Sequence, residues 1–191
     1  MSEALIIIDM QVDFCRSECE PVAEVIGRLA AAARQAGVPV IWVRTEHSEK
    51  TDTATWLSRH PNAERICRPG TPGVEFYRVR PEPGEPVVTK HRYSAFIGTD
   101  LEIRLRAMGV TGLVCCGVRT NVCVESTVRD AFQRDIATVM VADACAAGDP
   151  DVHEAALRNV RRHFGRVLSS DEVLARWRAQ TDARQVSRPR A

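Results

Sequence analysis

Short apolar runs alternate along the chain with segments in which apolar residues recur at helical spacing. Residues 4–8 form an unbroken apolar run that ends at Asp9, which is typical of a strand buried on both faces. Between residues 21 and 36 apolar positions recur every three or four residues, which predicts an amphipathic helix ended by Gly37. The other predicted strands cover 38–43, 86–90, 111–117, 136–142 and 166–168. The other predicted helices begin at Thr99, cover 121–133, run from Asp149-Pro150 to about His163, and run from Ser169 to about Arg178.

This alternation of strands and helices predicts the fold class. It is α/β, a single Rossmann-like three-layer domain with an about six-stranded, mostly parallel sheet and helices on both faces. Residues 45–85 form a long irregular stretch rich in proline and glycine, and loops of such length are usually functional. No Gly-x-Gly-x-x-Gly follows the first strand and no Walker-type loop is present, so the sequence lacks a phosphate-binding signature.

Composition and charge limit the kinds of binding partner and the cellular location that can be expected. The chain has 191 residues with 26 Lys+Arg and 25 Asp+Glu, a net charge of +1 that favours neither nucleic acid nor a membrane surface as a partner. The apolar fraction of 45% excludes a disordered chain. No apolar run approaches the roughly 20 residues needed to span a bilayer, and no signal peptide is visible. The 7 cysteines are scattered, which indicates free thiols and a cytoplasmic location.

Three reactive side chains follow predicted strands. Asp9 ends the first strand, Lys90 ends the third, and Cys123 follows the fourth. Because ligands bind at the carboxyl ends of parallel strands, we expect the three to converge there. Cys123 would lie in the first turn of a helix, where free N–H groups favour a thiolate. Such a set suits nucleophilic acyl chemistry, in which Cys123 attacks, Asp9 moves the proton and Lys90 maintains the ionisation states. Taken singly, each residue also fits a structural role.

The motifs around these residues carry a resemblance to a known family. The matching stretches are IIIDMQVDF at 6–14, VTKHRYSAF at 88–96 and GVRTNVCVESTVRD at 117–130, with weaker matches at 70–73 and 141–147. With them the sequence resembles the isochorismatase-like cysteine hydrolase superfamily, which includes nicotinamidases, N-carbamoylsarcosine and ureidoacrylate amidohydrolases, biuret hydrolase and streptothricin hydrolase. The likeness implies a hydrolase domain at 1–178, and the polar composition of 179–191 predicts a frayed tail.

The resemblance also implies a catalytic site. It predicts a triad of Asp9, Lys90 and Cys123, a thioester acyl-enzyme that water cleaves, and a cis peptide bond between Val118 and Arg119. The backbone N–H groups of Arg119 and Cys123 would form the oxyanion hole. No metal and no organic cofactor are expected.

Departures from the family pattern refine this picture. Nicotinamidases carry an Asp-x-His…His metal site after the second strand, whereas this chain reads RTEH at 44–47. Isochorismatases lack the nucleophilic cysteine, so its presence favours carbon–nitrogen cleavage. Arg119 replaces a small residue and either binds a substrate carboxylate or packs outward. Asn121 is either a pocket wall or a helix N-cap. The candidate substrate-binding walls are Phe14, His47, Trp56, Tyr93, Phe96 and Asn121.

The sequence therefore predicts a cysteine-dependent amidohydrolase. Its partners would be water and a small amide, which carries a ureido or carbamoyl group, a primary amide, or a cyclic amide such as the streptothricin lactam. Family resemblance implies a homo-oligomer, a dimer or tetramer. The alternatives are a non-catalytic ligand-binding or scaffold member of the same fold, an isochorismate-type hydrolase, and a thiol redox protein. The complete triad argues against the first, Cys123 against the second, and the lack of Cys-x-x-Cys against the third.

Overall fold

The computed structural model describes residues 2–60 and 65–186, which form six strands and six helices. The strands are β1 (Glu3–Ile8), β2 (Val40–Thr45), β3 (Val87–Lys90), β4 (Gly112–Val118), β5 (Ala137–Ala146) and β6 (Arg166–Leu168). The helices are α1 (Glu20–Ala36), α2 (Ala54–Arg59), α3 (Leu101–Ala107), α4 (Glu125–Phe132), α5 (Pro150–His163) and α6 (Ser170–Val186). None of these helices combines the length and the apolar character needed to cross a bilayer.

The strands form one sheet in the order β3-β2-β1-β4-β5-β6, and every neighbouring pair is parallel. β1 lies at the centre, with Leu5 opposite Val40 on one side and Val114 on the other. This position explains its unbroken apolar run, because both of its faces are covered. Among the helices, α1 packs against α6, and α4 packs against α5. The predicted α/β fold is confirmed.

The strand order also locates the ligand site. The chain moves from β1 outward to β2 and β3, then returns to β4 on the opposite side of β1. The order therefore reverses between β1 and β4, and in open α/β sheets a crevice for ligands lies at the carboxyl ends of the strands at this point. Asp9 follows β1 and Arg119 follows β4, so both lie at the mouth of that crevice.

Several helix ends follow the predicted local signals. Gly37 ends α1 in the left-handed conformation with φ 67°. The Asp149 side chain caps α5 by accepting a hydrogen bond from the Asp151 backbone N–H at 2.8 Å, and Pro150 occupies the first turn. In α3 the start is shifted, because Asp100 is the N-cap, although the Thr99 hydroxyl still accepts a hydrogen bond from the Leu101 N–H.

Long-range packing alters other predicted boundaries. The helix predicted at 121–133 begins as one π-helical turn, Thr120–Val124, before α4. β5 continues beyond the predicted end at residue 142. The last helix, predicted to end at about Arg178, continues through Val186, and residues 187–191 lie outside the described residues.

A buried anchor accounts for the docking of this last helix. The Trp177 side chain is buried, and its Nε1 donates a hydrogen bond to Glu3 Oε1 at 2.6 Å. Arg176 pairs with the other carboxylate oxygen of Glu3 at 2.8 Å. Both contacts join α6 to the start of β1. The local sequence around residue 178 does not show these long-range contacts.

Candidate active site

Asp9, Lys90 and Cys123 meet at the carboxyl edge of the sheet. Asp9 follows β1 with φ 54°, Lys90 is the last residue of β3, and Cys123 lies in the π-helical turn after β4. The Lys90 Nζ atom lies 2.7 Å from Asp9 Oδ2 and donates to Cys123 Sγ at 3.5 Å. Asp9 and Lys90 are 0% and 1% exposed, so their charges pair with each other out of contact with bulk solvent.

Thr45 joins the same group, and the sequence analysis missed it. Its hydroxyl donates a hydrogen bond to Asp9 Oδ1 at 3.0 Å and accepts one from Lys90 Nζ at 2.8 Å. The buried Gln11 holds Thr45 in place, since its Nε2 donates to the Thr45 carbonyl and its Oε1 accepts from the Thr45 N–H. Thr45 ends β2, so the strand-end argument used for Asp9 and Lys90 could have found it.

The environment keeps Lys90 charged. Burial opposes the ammonium form, but the Asp9 carboxylate and the hydrogen bonds to Asp9 and Cys123 outweigh burial and hold the pKa of Lys90 above its ordinary value. Besides Asp9, Thr45 and Cys123, the Nζ atom donates to the Arg92 carbonyl at 3.0 Å. Lys90 is therefore a fixed cation at neutral pH, placed between a carboxylate and a thiol.

Cys123 is a thiol at neutral pH in this environment. Burial raises the pKa of Cys123 to about 12, and the negative charge of Asp9 adds to this effect, while Lys90 lowers the pKa without overcoming it. The expected thiolate at a helix start is therefore wrong for the resting site, because burial and Asp9 outweigh Lys90. Attack by the sulfur then requires a base, and Asp9 is the carboxylate of this group.

We expect alkylation of Cys123 by iodoacetamide to be slow at pH 7 and to accelerate with pH. Only the thiolate reacts, and far below a pKa of about 12 its fraction rises about tenfold per pH unit. Mass spectrometry of the Cys123 peptide at pH 7, 8, 9 and 10 measures the rate. A rate that levels off below pH 9 would contradict the raised pKa.

The backbone that carries Cys123 has a special conformation. The peptide bond between Val118 and Arg119 is cis, and Gly117 has φ 122°. A Cβ atom at Gly117 would collide with the Ile8 carbonyl oxygen, so the close approach of β4 to β1 requires glycine there. The Arg119 carbonyl accepts hydrogen bonds from the N–H groups of Val122 and Val124, at 3.1 and 3.2 Å. Arg119 and the nucleophile candidate therefore share one hydrogen-bonded turn.

A cavity of about 340 Å³ opens over the three reactive groups. Of the six predicted walls, Phe14, His47, Trp56 and Tyr93 line it. It is also lined by residues that the sequence analysis did not name as pocket walls: Thr45, Arg59, His60, Ile66, Arg92, Val118, Arg119 and Val122. A cavity of this size and mixed character is typical of a site for a small molecule.

Phe96 and Asn121 do not line this cavity. Phe96 is buried in the core, where the Arg134 guanidinium lies 4.8 Å from its ring centroid. Asn121 is exposed in the π-helical turn, and the N-cap position of that turn is held by Arg119. The predicted capping role of Asn121 is therefore wrong, because the turn begins earlier than the apolar pattern indicates.

The aromatic wall comes from the stretch that was predicted to be irregular. The short helix α2 brings Trp56 and His60 together, with ring centroids 4.3 Å apart. Tyr93 approaches from the loop after β3, 5.0 Å from the Trp56 ring, and its hydroxyl lies 2.6 Å from His60 Nε2. The Arg92 guanidinium lies 5.0 Å from the Trp56 ring centroid, a cation–π arrangement. The long stretch after β2 thus folds back over the cavity.

His47 contacts a carboxylate that is itself paired with an arginine. Its Nδ1 lies 3.3 Å from Asp52 Oδ1, and the other oxygen of Asp52 pairs with Arg68 at 2.9 Å. Burial lowers the pKa of His47 in spite of Asp52, so the imidazole is neutral at pH 7. Within 2–60 and 65–186, no group of three or more His, Cys, Asp and Glu side chains is arranged to hold a metal ion.

We expect Thr45→Val to lower kcat by about 10- to 100-fold with little change in KM. Valine keeps the volume but removes the hydroxyl that orients Asp9 and accepts from Lys90, and hydrogen bonds to charged groups contribute roughly 1.5–3 kcal/mol. Steady-state kinetics with an amide that the wild-type protein hydrolyses measure the effect. Thr45→Ser, which keeps the hydroxyl, is the matched control and should retain most of the activity. A valine variant with more than half of the wild-type kcat would exclude this role.

Comparison with known proteins assigns this chain to a family. Residues 3–172 match the model of the Isochorismatase domain. The chain is 36% identical to the ureidoacrylate amidohydrolase RutB of Methylorubrum extorquens over 207 aligned residues, which cover 88% of this chain and 84% of that protein. A crystal structure of a cysteine hydrolase from Pseudomonas syringae pv. phaseolicola 1448A superposes with a TM-score of 0.89 at 32% identity, covering 94% of this chain and 93% of that one.

A second solved structure agrees. It is the N-carbamoylsarcosine amidase from Thermoplasma acidophilum, with a TM-score of 0.76 at 29% identity, covering 90% of this chain and 98% of that one. The family model covers all six strands and ends at residue 172, near the start of α6, so the match includes the whole sheet. The chain belongs to the isochorismatase domain family.

Proposed function

We propose that this protein is a cysteine-dependent amidohydrolase that cleaves a carbon–nitrogen bond of a small ureido or carbamoyl compound through a thioester. The observation that carries the proposal is the contact of Lys90 Nζ with both Asp9 and Cys123 under an open cavity. The relatives indicate a hydrolase of carbon–nitrogen bonds other than peptide bonds, since those named above are ureidoacrylate amidohydrolase and N-carbamoylsarcosine amidase. Primary amides and cyclic amides are the alternative substrate classes.

In the first step, Asp9 accepts the proton of the Cys123 thiol as the sulfur attacks the substrate carbonyl carbon. A carbon–sulfur bond forms, and the carbonyl π electrons move to the oxygen. The N–H groups of Arg119 and Cys123 are proposed to donate hydrogen bonds to this oxyanion, and one such donor contributes on the order of 3 kcal/mol. The fixed positive charge of Lys90, whose Nζ atom lies 3.5 Å from Cys123 Sγ, stabilises the developing thiolate.

In the second step, the carbon–nitrogen bond breaks and the protonated Asp9 returns its proton to the leaving nitrogen. The acyl group then remains on Cys123 as a thioester. Water, deprotonated by Asp9, attacks this thioester, the carbon–sulfur bond breaks, and the sulfur regains a proton. The thiol pKa of about 12 suits this cycle, because the resting proton stays on sulfur until a substrate is in place.

A hydrolysis screen resolved by mass tests the proposal. The panel holds nicotinamide, N-carbamoyl amino acids, biuret, ureidoacrylate-like amides and streptothricin-type lactams, each incubated with wild type, Cys123→Ala and Cys19→Ala. Cys19 is a buried cysteine outside the cavity lining, so it controls for thiol loss alone. Turnover of one class that needs Cys123 but not Cys19 supports the proposal. Turnover that persists without Cys123 would reject the cysteine mechanism.

Assembly, domain extent and location complete the proposal. We take 1–178 as the hydrolase domain, a homo-oligomer as the working unit and the cytoplasm as its location, all of which rest on the family resemblance and the free cysteines. Light scattering coupled to gel filtration measures the oligomeric state of the isolated protein. A mass of about 21.2 kDa, that of the single chain, would reject the oligomer.

A further inference from the structure

The π-helical turn that carries Cys123 is attached to α5 both before and after that residue. Before Cys123, the Thr120 hydroxyl shares a hydrogen bond of 2.8 Å with His153 Nδ1. After Cys123, the Glu125 carboxylate accepts a hydrogen bond from the side-chain amide of Asn159. His153 and Asn159 both belong to α5, and neither of them lines the cavity. The helix therefore holds the reactive turn from outside the space in which a substrate would bind.

The Thr120 hydroxyl depends on His153. Thr120 is 0% exposed, and within 2–60 and 65–186 its hydroxyl has no hydrogen-bond partner other than this imidazole. A buried hydroxyl that loses its partner lowers stability by roughly 1–3 kcal/mol. Without His153, we expect the Thr120 side chain to turn toward water or toward another polar group. The backbone of Thr120 would move with it.

A movement of Thr120 acts first on Arg119. The two residues share a peptide bond, and the Arg119 N–H is one of the two proposed oxyanion donors. The Arg119 carbonyl accepts hydrogen bonds from the N–H groups of Val122 and Val124, at 3.1 and 3.2 Å, so this residue moves with the start of the turn. An oxyanion donor acts only when it is aimed at the developing charge, and a displacement of about 1 Å can lower a rate by about 100-fold. A short series of contacts thus joins His153 to this donor.

Cys123 has a separate anchor. The Thr127 hydroxyl donates to the Cys123 carbonyl at 2.8 Å and accepts a hydrogen bond from the Ala95 N–H at 3.1 Å. Thr127 is 0% exposed, and Ala95 belongs to the loop after β3. The residue that bears the sulfur is therefore tied to that loop, whereas the start of the turn is tied to α5. Loss of His153 should displace the Arg119 N–H more than the sulfur.

We propose that His153 is a positioning residue, which holds the Arg119 N–H in the oxyanion hole through the Thr120 hydroxyl. The observation that carries the inference is the buried hydrogen bond between α5 and the first residue of the turn. The inference rests on the proposed function, because it names a residue that supports the oxyanion step of that reaction. His153 does not touch the substrate and does not transfer a proton in the reaction.

Steady-state kinetics of variants at position 153 test this role with an amide that the wild-type protein hydrolyses. His153→Leu should lower kcat by about 10- to 100-fold and leave KM within about threefold of wild type, because the donor acts on the transition state. His153→Asn places an amide near the position of Nδ1 and should restore kcat to within about threefold of wild type. A leucine variant with more than half of the wild-type kcat, or an asparagine variant as slow as the leucine variant, would overturn the proposal.

A matched control comes from the same helix. His163 is an exposed histidine in the last turn of α5, so His163→Leu makes the same chemical change away from Thr120. This variant should keep the wild-type kcat. A loss in His163→Leu as large as that in His153→Leu would show a general effect on α5 and would overturn the specific role of His153.

A second measurement needs no amide turnover. Propanal adds reversibly to the Cys123 thiol: a carbon–sulfur bond forms, the carbonyl π electrons move to the oxygen, and the thiol proton goes to that oxygen. The adduct is measured by the propanal concentration that halves the rate of alkylation by iodoacetamide. His153→Leu should raise this concentration about tenfold, as expected for one lost hydrogen bond, and His153→Asn by less than about threefold.

Alkylation without propanal separates a misplaced donor from a damaged site. The reaction of iodoacetamide with sulfur places no charge on a carbonyl oxygen in the oxyanion hole. Its rate at Cys123 should therefore stay within about threefold of wild type in His153→Leu. A folded leucine variant that loses alkylation and turnover together would show general damage to the turn and would overturn the positioning role.

A double-mutant cycle shows whether His153 acts through Thr120. Thr120→Val should lower kcat by about the same factor as His153→Leu, whereas Thr120→Ser keeps the hydroxyl and should retain most of the activity. The variant with both Thr120→Val and His153→Leu should be within about threefold of the slower single variant, because both changes remove one hydrogen bond. Effects that multiply would show independent roles and overturn the proposal. Where thermal melting shows that His153→Leu is unfolded, the comparison of valine with serine at position 120 decides.

The two readouts distinguish failure of this inference from failure of the proposed function. Amide turnover that needs Cys123 but is equal in wild type and His153→Leu keeps the amidohydrolase and rejects the positioning role. A propanal adduct that depends on His153, in a protein that hydrolyses no amide of the panel, keeps the positioning role and rejects the proposed substrates. Absence of both turnover and the propanal adduct in wild type rejects both proposals.

Discussion

Cys123→Ala is expected to abolish amide turnover, with a fall in kcat of about 10⁴-fold or more. Alanine cannot form the carbon–sulfur bond, and removal of a nucleophile from a cooperating set is among the largest single effects known for hydrolases. The fold should persist, because the Asp9–Lys90 ion pair and the Thr45 hydrogen bonds do not depend on the sulfur. Product formation followed by mass spectrometry measures the loss.

The control for this prediction is the stability of the Cys123→Ala variant. Loss of one half-buried sulfur should change the free energy of unfolding by no more than about 1 kcal/mol, which a denaturant titration resolves. Cys19→Ala should keep wild-type turnover, since Cys19 does not line the cavity. More than one hundredth of the wild-type kcat in a pure Cys123→Ala preparation would show that another group supplies the nucleophile.

Asp9→Asn is expected to lower kcat by about 10³-fold and, at the same time, to increase alkylation of Cys123. The amide cannot accept the thiol proton, so general base catalysis is lost. The negative charge of Asp9 raises the pKa of Cys123, so its removal lowers that pKa and increases the thiolate fraction at pH 8. A variant that reacts faster with iodoacetamide yet does not turn over separates the proton-transfer role from damage to the site.

This variant also leaves Lys90 without its carboxylate. An uncompensated buried charge lowers stability by roughly 3–5 kcal/mol, so a lower Tm is expected for Asp9→Asn. Assays are therefore done well below the measured Tm. Retention of more than a tenth of the wild-type kcat would remove Asp9 as the base, and unchanged or slower alkylation in folded protein would contradict its effect on the thiol pKa.

Much of the fold could be predicted from local patterns. The apolar run at 4–8 is the central strand of a parallel sheet, and the proline and aspartate at 149–150 start α5 as local capping rules require. The positions of Asp9 and Lys90 at strand ends predicted that they would converge, and in the structure they form an ion pair. Such features depend on the spacing of apolar residues and on the order of strands along the chain, both of which can be seen in the sequence itself.

The tertiary structure alone decided the features that depend on residues distant in sequence. Thr45 enters the site because Gln11, from another strand end, holds it, and Trp56 lines the cavity because α2 folds back over the sheet. The thiol state of Cys123 follows from burial and from Asp9, which the local helix-start argument does not include. Local patterns specify where strands and helices form, whereas burial and charge pairing arise from contacts that only the assembled fold creates.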